Sequence, residues 1–480
     1  MELVEIIKQR KDKITALKAK GIEPFGKTLA GRVTIKEARG GYQENKPVVL
    51  AGRLMAKRQH GKAVFADLKD STGKIQVYVK QDLIGEEKFN FFQDLDIGDI
   101  VSIEGELFKT HTGELTIKLN NLSLLAKSLR PLPEKWHGLK DVDIRYRQRY
   151  LDIISNDEVK AIFQRRSQII SGVRKFFDER GYLEVETPMM HAIAGGAAGR
   201  PFKTFHNEYK MDLYLRIAPE LYLKELLVAG LDKVYEINRS FRNEGVSTKH
   251  NPEFTMLEVY TAYADYEEMM RLCEELIPHL AKEILGTTKI QYQGKEIELA
   301  GPWMRVSFAK LVKDKFDINP DDSSEAMLAK LAKQGRLLPQ GKLTRSQIVK
   351  IVEDILEEEM SFNPVFFTDY FTNLSPLAKA KKENPLLSER FELFIAGFEI
   401  ANAYTELNDP LEQKKRFIEE IKDLPPEEEK AVDEDYVLAL EYAMPPAGGL
   451  GIGIDRLVML LTNQASIRDV ILFPLLRKQE

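Results

Sequence analysis

The sequence predicts an α+β protein that begins with a small β-barrel and continues into a larger domain of strands and helices. Five strand-like runs lie between residues 47 and 127. Further along, the runs 234–242 and 253–261 alternate polar and apolar residues with the period of a strand. A helical pattern at 157–180 lies between these regions. A chain of 480 residues exceeds one ordinary core, so two or three domains are expected.

Composition argues against a membrane protein and against a disulfide-rich secreted protein. No segment approaches the ~18 uninterrupted apolar residues of a membrane helix, and the N-terminus lacks the apolar core of a signal peptide. Cys273 is the only cysteine, which excludes internal disulfides and thiolate metal clusters and fits a cytoplasmic location. The net charge is −5, so a nucleic acid would have to bind at local basic patches.

The first 46 residues are predicted to form a helix and a linker. Residues 2–20 have a helical pattern in which Lys and Arg outnumber Asp and Glu. A solvated helix face and a contact with an RNA backbone both explain this charge. Residues 21–46 are rich in Gly and Lys and contain turns flanked by Pro, as linkers do.

Residues 47–127 are predicted to fold as a barrel of the OB type. Three strand-like runs, a helical piece near 83–94 and two further runs follow one another at the spacing of that barrel. OB barrels bind single-stranded nucleic acid through aromatic side chains that stack on bases and polar groups that recognise base edges. Phe65, Gln76 and Tyr78 are the candidates, although barrels of this kind also occur without RNA.

A predicted hinge at 128–150 leads into the second domain, residues 151–480. The hinge contains prolines and a dense run of basic and aromatic residues, which makes it a candidate for contact with RNA. In the second domain, the helix predicted at 157–180 ends at Gly181, and the short strand after it stops at Pro188.

The runs 234–242 and 253–261 are joined by a charged loop of about ten residues, longer than a simple hairpin requires. Such a loop typically holds a ligand, although an ordinary edge hairpin with a solvated loop has the same pattern. Arg242 offers a planar fork for phosphate or carboxylate, and Phe254 offers a flat apolar face. Together these two side chains indicate a nucleotide site.

The segments FRNEG (241–245) and HNPEFTMLE (250–258) resemble motif 2 of the class II aminoacyl-tRNA synthetases, and of the lysyl enzymes of subclass IIb most closely. The resemblance implies an antiparallel sheet flanked by helices in the second domain. It identifies the region around Pro188 as motif 1, which in this family forms the interface of a homodimer. The anticodon-binding positions that it implies in the barrel are Phe65, Gln76 and Glu114.

Three acidic residues, Glu220, Glu258 and Glu406, are of interest because a substrate with two ammonium groups needs a carboxylate at each end of its site. Taken singly, each would more commonly be a solvated acid. The resemblance implies that Glu220 binds the α-ammonium of lysine and that Glu406 binds the ε-ammonium together with Tyr260. The further lysine contacts that it implies are Gly196, Arg242, Glu258 and Asn402, with Arg242 and Asn402 at the carboxylate. Gly196 lies in a glycine-rich segment, 194–202, that lacks the ending of a phosphate loop and is predicted to be a flexible lip.

The segment FELFIAGFEIANAY (391–404) supports a magnesium site. A two-residue turn at 396–397 would put Glu392 and Glu399 on one face, where their like charges are unfavourable unless a cation bridges them. Oxygen ligands near phosphate suit Mg²⁺.

Uninterrupted alternation from the same turn would send Asn402 and Glu406 to the other face of the sheet. The lysine contacts implied for these two residues therefore require a bulge or a break near 400–403.

Residues 445–462, PPAGGLGIGIDRLVMLLT, indicate a strand that turns into a helix at a glycine-rich corner. A dinucleotide fold also begins with such glycines, but only 27 residues follow Gly453, fewer than one βαβ unit of ~30 residues. The corner resembles motif 3 of the class II family, in which Gly451 and Gly453 would face the adenine and Arg456 would hold the γ-phosphate. The other ATP contacts that the resemblance implies are Arg242, Glu244, His250 and Phe254.

The implied reaction is activation of L-lysine by ATP, with Arg242 and Arg456 as catalytic residues and Mg²⁺ as cofactor, followed by transfer to tRNA(Lys). The carboxylate of lysine is ionised at pH 7, so its attack on the α-phosphate needs no general base. An aspartate or asparagine specificity would need a cation where this chain has Glu406 and Tyr260. A non-catalytic RNA-binding protein descended from a synthetase is a further alternative, against which the joint presence of the motif residues argues. A predicted helical insertion at 304–362 has no assigned role in this scheme.

Overall fold

The structure is a computed structural model that describes residues 2–26, 28–133, 141–193, 195–196, 199–333, 343–357, 362–423 and 432–478. The chain forms two compact units, Met1–Lys140 and Asp141–Glu480. Among the described helices, none combines the length and the apolar character that a membrane crossing requires.

The first unit is built around a closed five-stranded barrel. Its elements are α1 (Leu3–Ala19), α2 (Ile35–Gly40), β1 (Pro47–His60), β2 (Ala63–Lys69), β3 (Lys74–Lys80), α3 (Gln81–Ile84), α4 (Glu86–Asp94), β4 (Ile100–Lys109) and β5 (Leu115–Ala126). The strand order is β1-β2-β3-β5-β4, and antiparallel pairing of β4 with β1 closes the barrel. The predicted OB-type barrel is confirmed, with two short helices where one helical piece was predicted.

Alternation along β3 shows how the barrel forms. Ile75, Val77 and Val79 are buried in the barrel core, whereas Gln76 and Tyr78 remain partly exposed. Because successive residues of a strand point to opposite faces, the polar and aromatic candidates for nucleic-acid binding lie on the outside of the barrel.

Residues 21–46 differ from the predicted linker because α2 lies within them. The backbone nitrogen of Glu37 donates to the hydroxyl of Thr34, and the backbone nitrogen of Thr34 donates to the carboxylate of Glu37. Ile35 and Ala38 are buried in the barrel core. A helix of six residues is marginal alone, so this packing stabilises it, and the pattern of the segment alone did not predict it.

Two basic residues of α1 are used within the first unit. Arg10 is buried and donates to the backbone oxygens of Ser128 and Arg130 at 3.0 and 2.9 Å. Lys13 Nζ donates to Asp96 Oδ1 at 2.8 Å. These two cations hold the helix against the barrel, so they belong neither to a solvated helix face nor to a free RNA-binding surface.

The second unit contains an eight-stranded sheet, two smaller sheets and the helices that cover them. Its strands are β6 (Leu183–Glu184), β7 (Met190–His191), β8 (Lys203–His206), β9 (Met211–Leu215), β10 (Lys233–Phe241), β11 (Glu253–Ala262), β12 (Lys289–Tyr292), β13 (Lys295–Glu298), β14 (Met304–Ser307), β15 (Val365–Thr368), β16 (Arg390–Ile395), β17 (Phe398–Thr405) and β18 (Ala447–Gly453). Its helices are α5 (Val142–Arg147), α6 (Arg149–Ser155), α7 (Asp157–Asp178), α8 (Glu220–Val228), α9 (Tyr266–Leu285), α10 (Phe308–Phe316), α11 (Ser324–Lys333), α12 (Arg345–Glu357), α13 (Pro410–Asp423), α14 (Glu434–Glu441), α15 (Ile454–Thr462) and α16 (Ile467–Val470).

The large sheet has the strand order β14-β15-β16-β17-β18-β11-β10-β6. Pairing is antiparallel from β15 to β10, and the two edge pairs, β14 with β15 and β10 with β6, are parallel. The predicted antiparallel sheet flanked by helices is therefore confirmed, with parallel pairing at its edges.

One face of the large sheet is covered by helices, and the other carries the candidate site. Leu257 and Val259 of β11 and Leu450 and Ile452 of β18 are buried in a core shared with α7, α9 and α15. The alternate residues of these strands point to the opposite face. There, α8 and α14 pack against one end of the sheet and leave the rest of that face to polar side chains.

The region 304–362 begins with strand β14 instead of the helix predicted there, because its first residues pair with β15. Helices α10, α11 and α12 follow and share a core of their own with β15. Residues 334–342 and 358–361 of this region, and 134–140 of the predicted hinge, lie outside the described residues.

Candidate active site

A row of five residues crosses the middle of the large sheet on its polar face. Glu392 on β16 lies opposite Asn402 on β17, and Asn402 lies opposite Gly451 on β18. Gly451 lies opposite Glu258 on β11, which in turn lies opposite Glu236 on β10. Residues paired in this way point to the same face of a sheet, so five strands bring together groups that are far apart in the sequence.

Three glycines of β18 form the floor of this face. Gly449, Gly451 and Gly453 alternate with Leu450 and Ile452, which fill the core on the other side. The glycines add no side-chain bulk between the polar groups of β17 and β11. This absence of bulk allows a flat ligand to lie close to the backbone of the central strand.

A bulge in β17 brings Asn402 onto the face that carries Glu399. Glu399 keeps the register that the tight turn before it predicts, but the ladder skips Ile400 before pairing resumes at Ala401. One extra residue reverses the alternation of all that follow. The break predicted near 400–403 is confirmed.

Glu220, Lys224 and Glu406 form a buried cluster of charges beside this floor. Glu220 and Lys224 lie one turn apart on α8, with Lys224 Nζ 2.5 Å from Glu220 Oε1. The same ammonium forms an ion pair with Glu406, which follows β17, and both side chains are fully inaccessible to solvent. The Tyr404 hydroxyl donates to Glu220 Oε1 at 2.6 Å. Glu220 and Glu406, which were predicted to bind opposite ends of lysine, are thus linked by the ammonium of Lys224.

Burial and charge shift the pKa values of these groups. Burial raises the pKa of Glu406 to about 8, although the neighbouring ammonium of Lys224 opposes the shift. Burial, and then the negative charges of Glu220 and Glu236, raise the pKa of Glu258 to about 8. Burial alone would lower the pKa of Lys224, but the carboxylates of Glu220 and Glu406 outweigh it and raise that pKa. An additional cation in this cluster would therefore favour the ionised forms of Glu258 and Glu406.

The neighbours of Glu258 fix its surroundings. The Tyr260 hydroxyl donates to Glu258 Oε2 at 3.3 Å. Across the strand, Glu236 accepts from Arg216 Nη1 at 2.7 Å and from the Thr187 hydroxyl at 2.6 Å. Glu236 is thus paired with an arginine. Glu258 accepts a hydrogen bond only from a hydroxyl among these contacts, so it is better suited than Glu236 to bind a cationic ligand.

Arg242 is the first residue of the charged loop between β10 and β11, and Phe254 lies on β11 just after the loop. The guanidinium carbon of Arg242 lies 5.3 Å from the centre of the Phe254 ring. Arg242 Nε is buried and has no hydrogen-bond partner among the described residues. An unpaired buried donor on an arginine is unfavourable unless a ligand satisfies it. Glu244 and His250 lie exposed on the same loop.

Arg456 connects the charged loop to β17. Its Nη1 donates to the backbone oxygen of Glu399 at 2.7 Å and to Glu399 Oε2 at 3.1 Å. Its Nη2 lies 3.3 Å from His250 Nε2. Three residues predicted to bind ATP or metal from different parts of the sequence are therefore in contact.

Glu392 is also paired with an arginine. Its Oε1 accepts from Arg390 at 2.5 Å, and its Oε2 accepts from the Tyr370 hydroxyl at 3.0 Å. Arg390 Nε donates to Asn402 Oδ1 at 3.2 Å. Burial raises the pKa of Glu392 to about 8, with Arg390 opposing the shift and the negative charge of Glu399 adding to it. The negative charges of Glu392 and Glu399 are therefore close enough to repel each other.

The glycine-rich lip lies along the same site. A Cβ built on Gly196 would approach Glu220, and one built on Gly199 would approach Arg242 and Glu244. Gly196 has a φ of 86°, which other residues rarely adopt. Gly196 therefore lies beside the acidic cluster and Gly199 beside the charged loop. Residues 194, 197 and 198 of the predicted lip lie outside the described residues.

The three predicted anticodon residues lie on neighbouring strands of the barrel. The Phe65 ring on β2 lies 5.0 Å from the ring of Tyr78 on β3. Gln76 Oε1 accepts from the Thr116 hydroxyl at 3.0 Å, and this hydroxyl also lies 3.1 Å from the backbone oxygen of Glu114. Glu114 itself is exposed just before β5. The side chains predicted to stack on bases and to recognise their edges are thus adjacent on one outer surface.

Sequence reasoning missed three residues of the site, namely Lys224, Arg390 and Tyr404. Lys224 follows Glu220 by four positions in a helical pattern, the spacing at which side chains meet. Arg390 and Tyr404 each lie two positions from a predicted site residue on the same strand, and so on the same face. Periodicity could have placed all three beside the site, but it could not show which charges they meet.

Both units match families of known proteins. A family model described as tRNA synthetases class II (D, K and N) matches residues 141–477, and one described as an OB-fold nucleic acid binding domain matches residues 48–125. The curated lysine–tRNA ligase of Carboxydothermus hydrogenoformans is 54% identical over 486 residues, which cover 100% of this chain and 99% of the relative. That of Pelotomaculum thermopropionicum is 54% identical over 487 residues, which cover 100% and 96%. That of Moorella thermoacetica is 53% identical over 483 residues, which cover 99% and 98%. The chain therefore belongs to the class II tRNA synthetases and, within them, to the lysine–tRNA ligase family.

Proposed function

We propose that this protein activates L-lysine with ATP to lysyl-adenylate and transfers the lysyl group to the 3′ end of tRNA(Lys). The observation that carries the proposal is the buried acidic cluster of Glu220, Glu258 and Glu406 at one end of a glycine-floored face. A pocket of buried carboxylates suits a substrate with two ammonium groups, since each ammonium can form a charge-assisted hydrogen bond. It would repel the side-chain carboxylate of aspartate.

The distance along β11 leaves room for an amino acid and a nucleotide side by side. Phe254 lies six residues before Tyr260, roughly 20 Å along the strand at ~3.3 Å per residue. We assign the Tyr260 end to lysine and the Phe254 end to ATP. Glu220 would bind the α-ammonium, and Glu406 with Tyr260 the ε-ammonium.

Arg242 is assigned to the junction of the two substrates. Its unpaired Nε and its position on the Phe254 ring support a role in holding the α-phosphate of ATP and the carboxylate of lysine. Asn402 would add a contact to the carboxylate. The lysine carboxylate is ionised at pH 7, so catalysis consists of alignment and charge stabilisation, without a general base.

The remaining ATP contacts are assigned to Glu244, His250, Gly451, Gly453 and Arg456. His250 and Arg456 already lie within contact distance of each other. Arg456 would hold the γ-phosphate, and the glycines of β18 would let the adenine lie against the backbone. A guanidinium beside the phosphates stabilises charge that shifts onto the leaving pyrophosphate.

Glu392 and Glu399 fit a magnesium site formed together with the phosphates of ATP. Both carboxylates lie on the polar face of the sheet, and the raised pKa of Glu392 has the charge of Glu399 among its causes. Mg²⁺ in nucleotide sites is typically held by one or two carboxylates and by phosphate oxygens. When bound, the ion would neutralise phosphate charge. Arg390 and Arg456, which now pair with the two carboxylates, would share them with it.

The proposal includes a homodimer formed through the region around Pro188. Three apolar side chains near this proline are about half exposed, namely Leu183 at 51%, Met189 at 45% and Met190 at 53%. Exposed apolar side chains that cluster in this way are typical of an interaction surface. The barrel would bind the anticodon of the tRNA through Phe65, Gln76 and Glu114, and the location would be cytoplasmic, where charged tRNA is used.

Amino-acid-dependent exchange of pyrophosphate with ATP tests the proposal directly. We expect exchange with L-lysine, and exchange lower by orders of magnitude with aspartate, asparagine and the other standard amino acids. Charging of tRNA(Lys) transcript with labelled lysine then tests the transfer step. Absence of lysine-dependent exchange by folded protein, or preference for aspartate or asparagine, would contradict the assignment.

A further inference from the structure

We propose that Lys224 is a positioning residue of the lysine site, whose ammonium holds one oxygen of Glu220 and one of Glu406 and leaves the second oxygen of each to the substrate. This inference rests on the proposed function and deepens it. Lys224 itself would not touch the substrate. It would act through the two carboxylates that do.

The contacts of Lys224 assign one oxygen of each carboxylate. Its Nζ lies 2.5 Å from Glu220 Oε1, which also accepts from the Tyr404 hydroxyl at 2.6 Å. The second oxygen of Glu220 is not used in either contact. On Glu406, the ammonium forms an ion pair with Oε2 and not with Oε1, and both oxygens are buried without a hydrogen-bond partner among the described residues. Each carboxylate therefore pairs with Lys224 through one oxygen, and its second oxygen makes no contact with that ammonium.

The open side of Glu406 faces the floor of the site. A Cβ built on Gly449 would stand 1.9 Å from Glu406 Oε1 and 2.6 Å from Tyr260 Cε1. The oxygen that Lys224 leaves unused is thus directed to the space above the central strand, next to Tyr260. A substrate ammonium in that space would complete the hydrogen bonding of Oε1.

The charge balance around Lys224 also supports positioning. Three carboxylates, those of Glu220, Glu258 and Glu406, share this buried region with one ammonium. Carboxylates this close repel one another and would rotate apart or take up protons without a counter-charge. Lys224 pairs with Glu220 and Glu406. The negative charge that remains is what a substrate with two ammonium groups would neutralise.

The fold alone does not account for a buried lysine at this place. α8 packs through Leu221, Leu223 and Leu227 in an apolar cluster with α14, and this packing does not involve the ammonium of Lys224. Buried ion pairs contribute little net stability compared with apolar residues of similar size. Removal of one partner alone is destabilising, so a purely structural role of Lys224 would lower the stability of Lys224→Met and leave the KM for lysine of the folded fraction unchanged. This is what the experiment tests.

The test is Lys224→Met, with Lys127→Met as the matched control. Lys127 is likewise buried between two carboxylates, those of Asp96 and Asp99, but it lies in the barrel unit. Pyrophosphate exchange gives the KM for lysine, the KM for ATP and kcat, and titration of active sites corrects for any unfolded fraction. Unfolded protein lowers the number of active sites but leaves the KM of the folded fraction unchanged.

We expect Lys224→Met to raise the KM for lysine by about tenfold or more, because the carboxylates of Glu220 and Glu406 would lose the ammonium that holds them in position to bind the substrate. The KM for ATP should change by less than about threefold. Lys224→Arg, which keeps the charge, should recover part of the loss, and Lys127→Met should leave both KM values unchanged. A lysine KM within threefold of wild type in Lys224→Met, or equal losses for lysine and ATP, would overturn the inference.

A double variant keeps the test decisive if Lys224→Met does not fold. Lys224→Met with Glu406→Gln removes one positive and one negative charge, so the net charge of the pocket is unchanged. If Lys224 acts through Glu406, the fold loss in lysine kcat/KM for the double variant should be smaller than the product of the losses of the two single variants. Where Lys224→Met alone is unfolded, the loss of the double variant is compared instead with about ten times the loss of Glu406→Gln. A fully multiplicative loss would overturn the inference. Wild-type protein that shows no exchange with lysine would instead contradict the proposed function.

Discussion

Gly449 lies directly beneath the carboxylate of Glu406, so close that a Cβ built on Gly449 would stand 1.9 Å from Glu406 Oε1. The same Cβ would stand 2.6 Å from Cε1 of Tyr260. Two residues further along β18, a Cβ on Gly451 would meet the flexible end of Met256 at 3.3 Å. The glycine floor is therefore tightest where the substrate ammonium is proposed to bind.

Gly449→Ala should damage lysine binding far more than Gly451→Ala, its matched control. The added methyl group must displace Glu406 or Tyr260, which are both buried, whereas the methionine tip can move aside. We expect the lysine KM in pyrophosphate exchange to rise by about tenfold or more for Gly449→Ala, as for a displaced charged partner. Equal effects of the two alanines would show that the floor does not determine the position of Glu406.

Arg242→Ala should abolish adenylate formation while the protein stays folded. The side chain offers a bidentate contact that strengthens as charge shifts in the transition state. Pyrophosphate exchange within about tenfold of wild type would contradict the catalytic assignment of Arg242.

Arg239→Ala is the control for that experiment. Arg239 lies on β10, three residues before Arg242 and on the opposite face, where its exposed side chain is 3.8 Å from Glu253. Weak surface pairs of this kind contribute little. We expect near-normal exchange from Arg239→Ala, and a thermal unfolding profile for Arg242→Ala close to that of wild type.

Glu406→Gln should weaken lysine binding much more than ATP binding. Removing one partner of a buried charge pair costs roughly 2–5 kcal/mol, or ~30-fold and upward in the kcat/KM for lysine. Exchange kinetics at saturating ATP give this value, and the KM for ATP serves as the internal control. An unchanged kcat/KM for lysine would show that another group recognises the ε-ammonium.

Lysine binding should release protons near neutral pH. Burial raises the pKa values of Glu258 and Glu406 to about 8 in the free protein, and a substrate ammonium favours their ionised forms. The charged or titratable neighbours that also face them are Arg216, Glu220, Lys224, Glu236, Tyr260, Tyr404 and Tyr436. Below pH 8 these protons must leave before the carboxylates can pair, so lysine affinity should rise with pH and level off above about 8.

Calorimetric titration of lysine at pH 7 in two buffers of different ionisation enthalpy measures this release. We expect close to one proton or more per lysine bound, and an affinity that increases by up to tenfold per pH unit for each proton released. Glu258→Gln should reduce the number released. Lysine binding with no buffer dependence between pH 6 and 8 would contradict the raised pKa values.

Periodicity and turn chemistry predicted most of the architecture. The alternation in β3 placed Gln76 and Tyr78 on the outside of the barrel, and the motif 2 segment marked the β10–β11 pair as the centre of the site. These features are local, because alternation and loop length are set within a few residues. The helix α2 was missed because its stability comes from packing against the barrel.

The site itself could be predicted only in part. The implied roles of Asn402 and Glu406 required a bulge or a break near 400–403, but the sequence could not assign it to Ile400, because one extra residue in a strand leaves no compositional signal. The pairing of Lys224 with Glu406 joins a helix to a strand 182 positions later in the sequence. Contacts of this length depend on the tertiary fold, so the helical pattern could place Lys224 beside Glu220 but could not show that it also meets Glu406.

Phe65→Ala combined with Gln76→Ala should separate tRNA charging from lysine activation. The pair removes a stacking surface and an edge-recognising amide from the outside of the barrel, and stacking alone contributes roughly 1–3 kcal/mol per base. Lysine-dependent pyrophosphate exchange should stay near normal, because the activating residues lie in the other unit. Charging of tRNA with a lysine anticodon should fall at least about tenfold, and less for tRNA with an altered anticodon, whose correct recognition is already lost. Phe25→Ala, which removes another exposed aromatic ring of the same unit, should leave charging unchanged. Equal losses of exchange and charging would mean that Phe65 and Gln76 support the fold and do not recognise the anticodon.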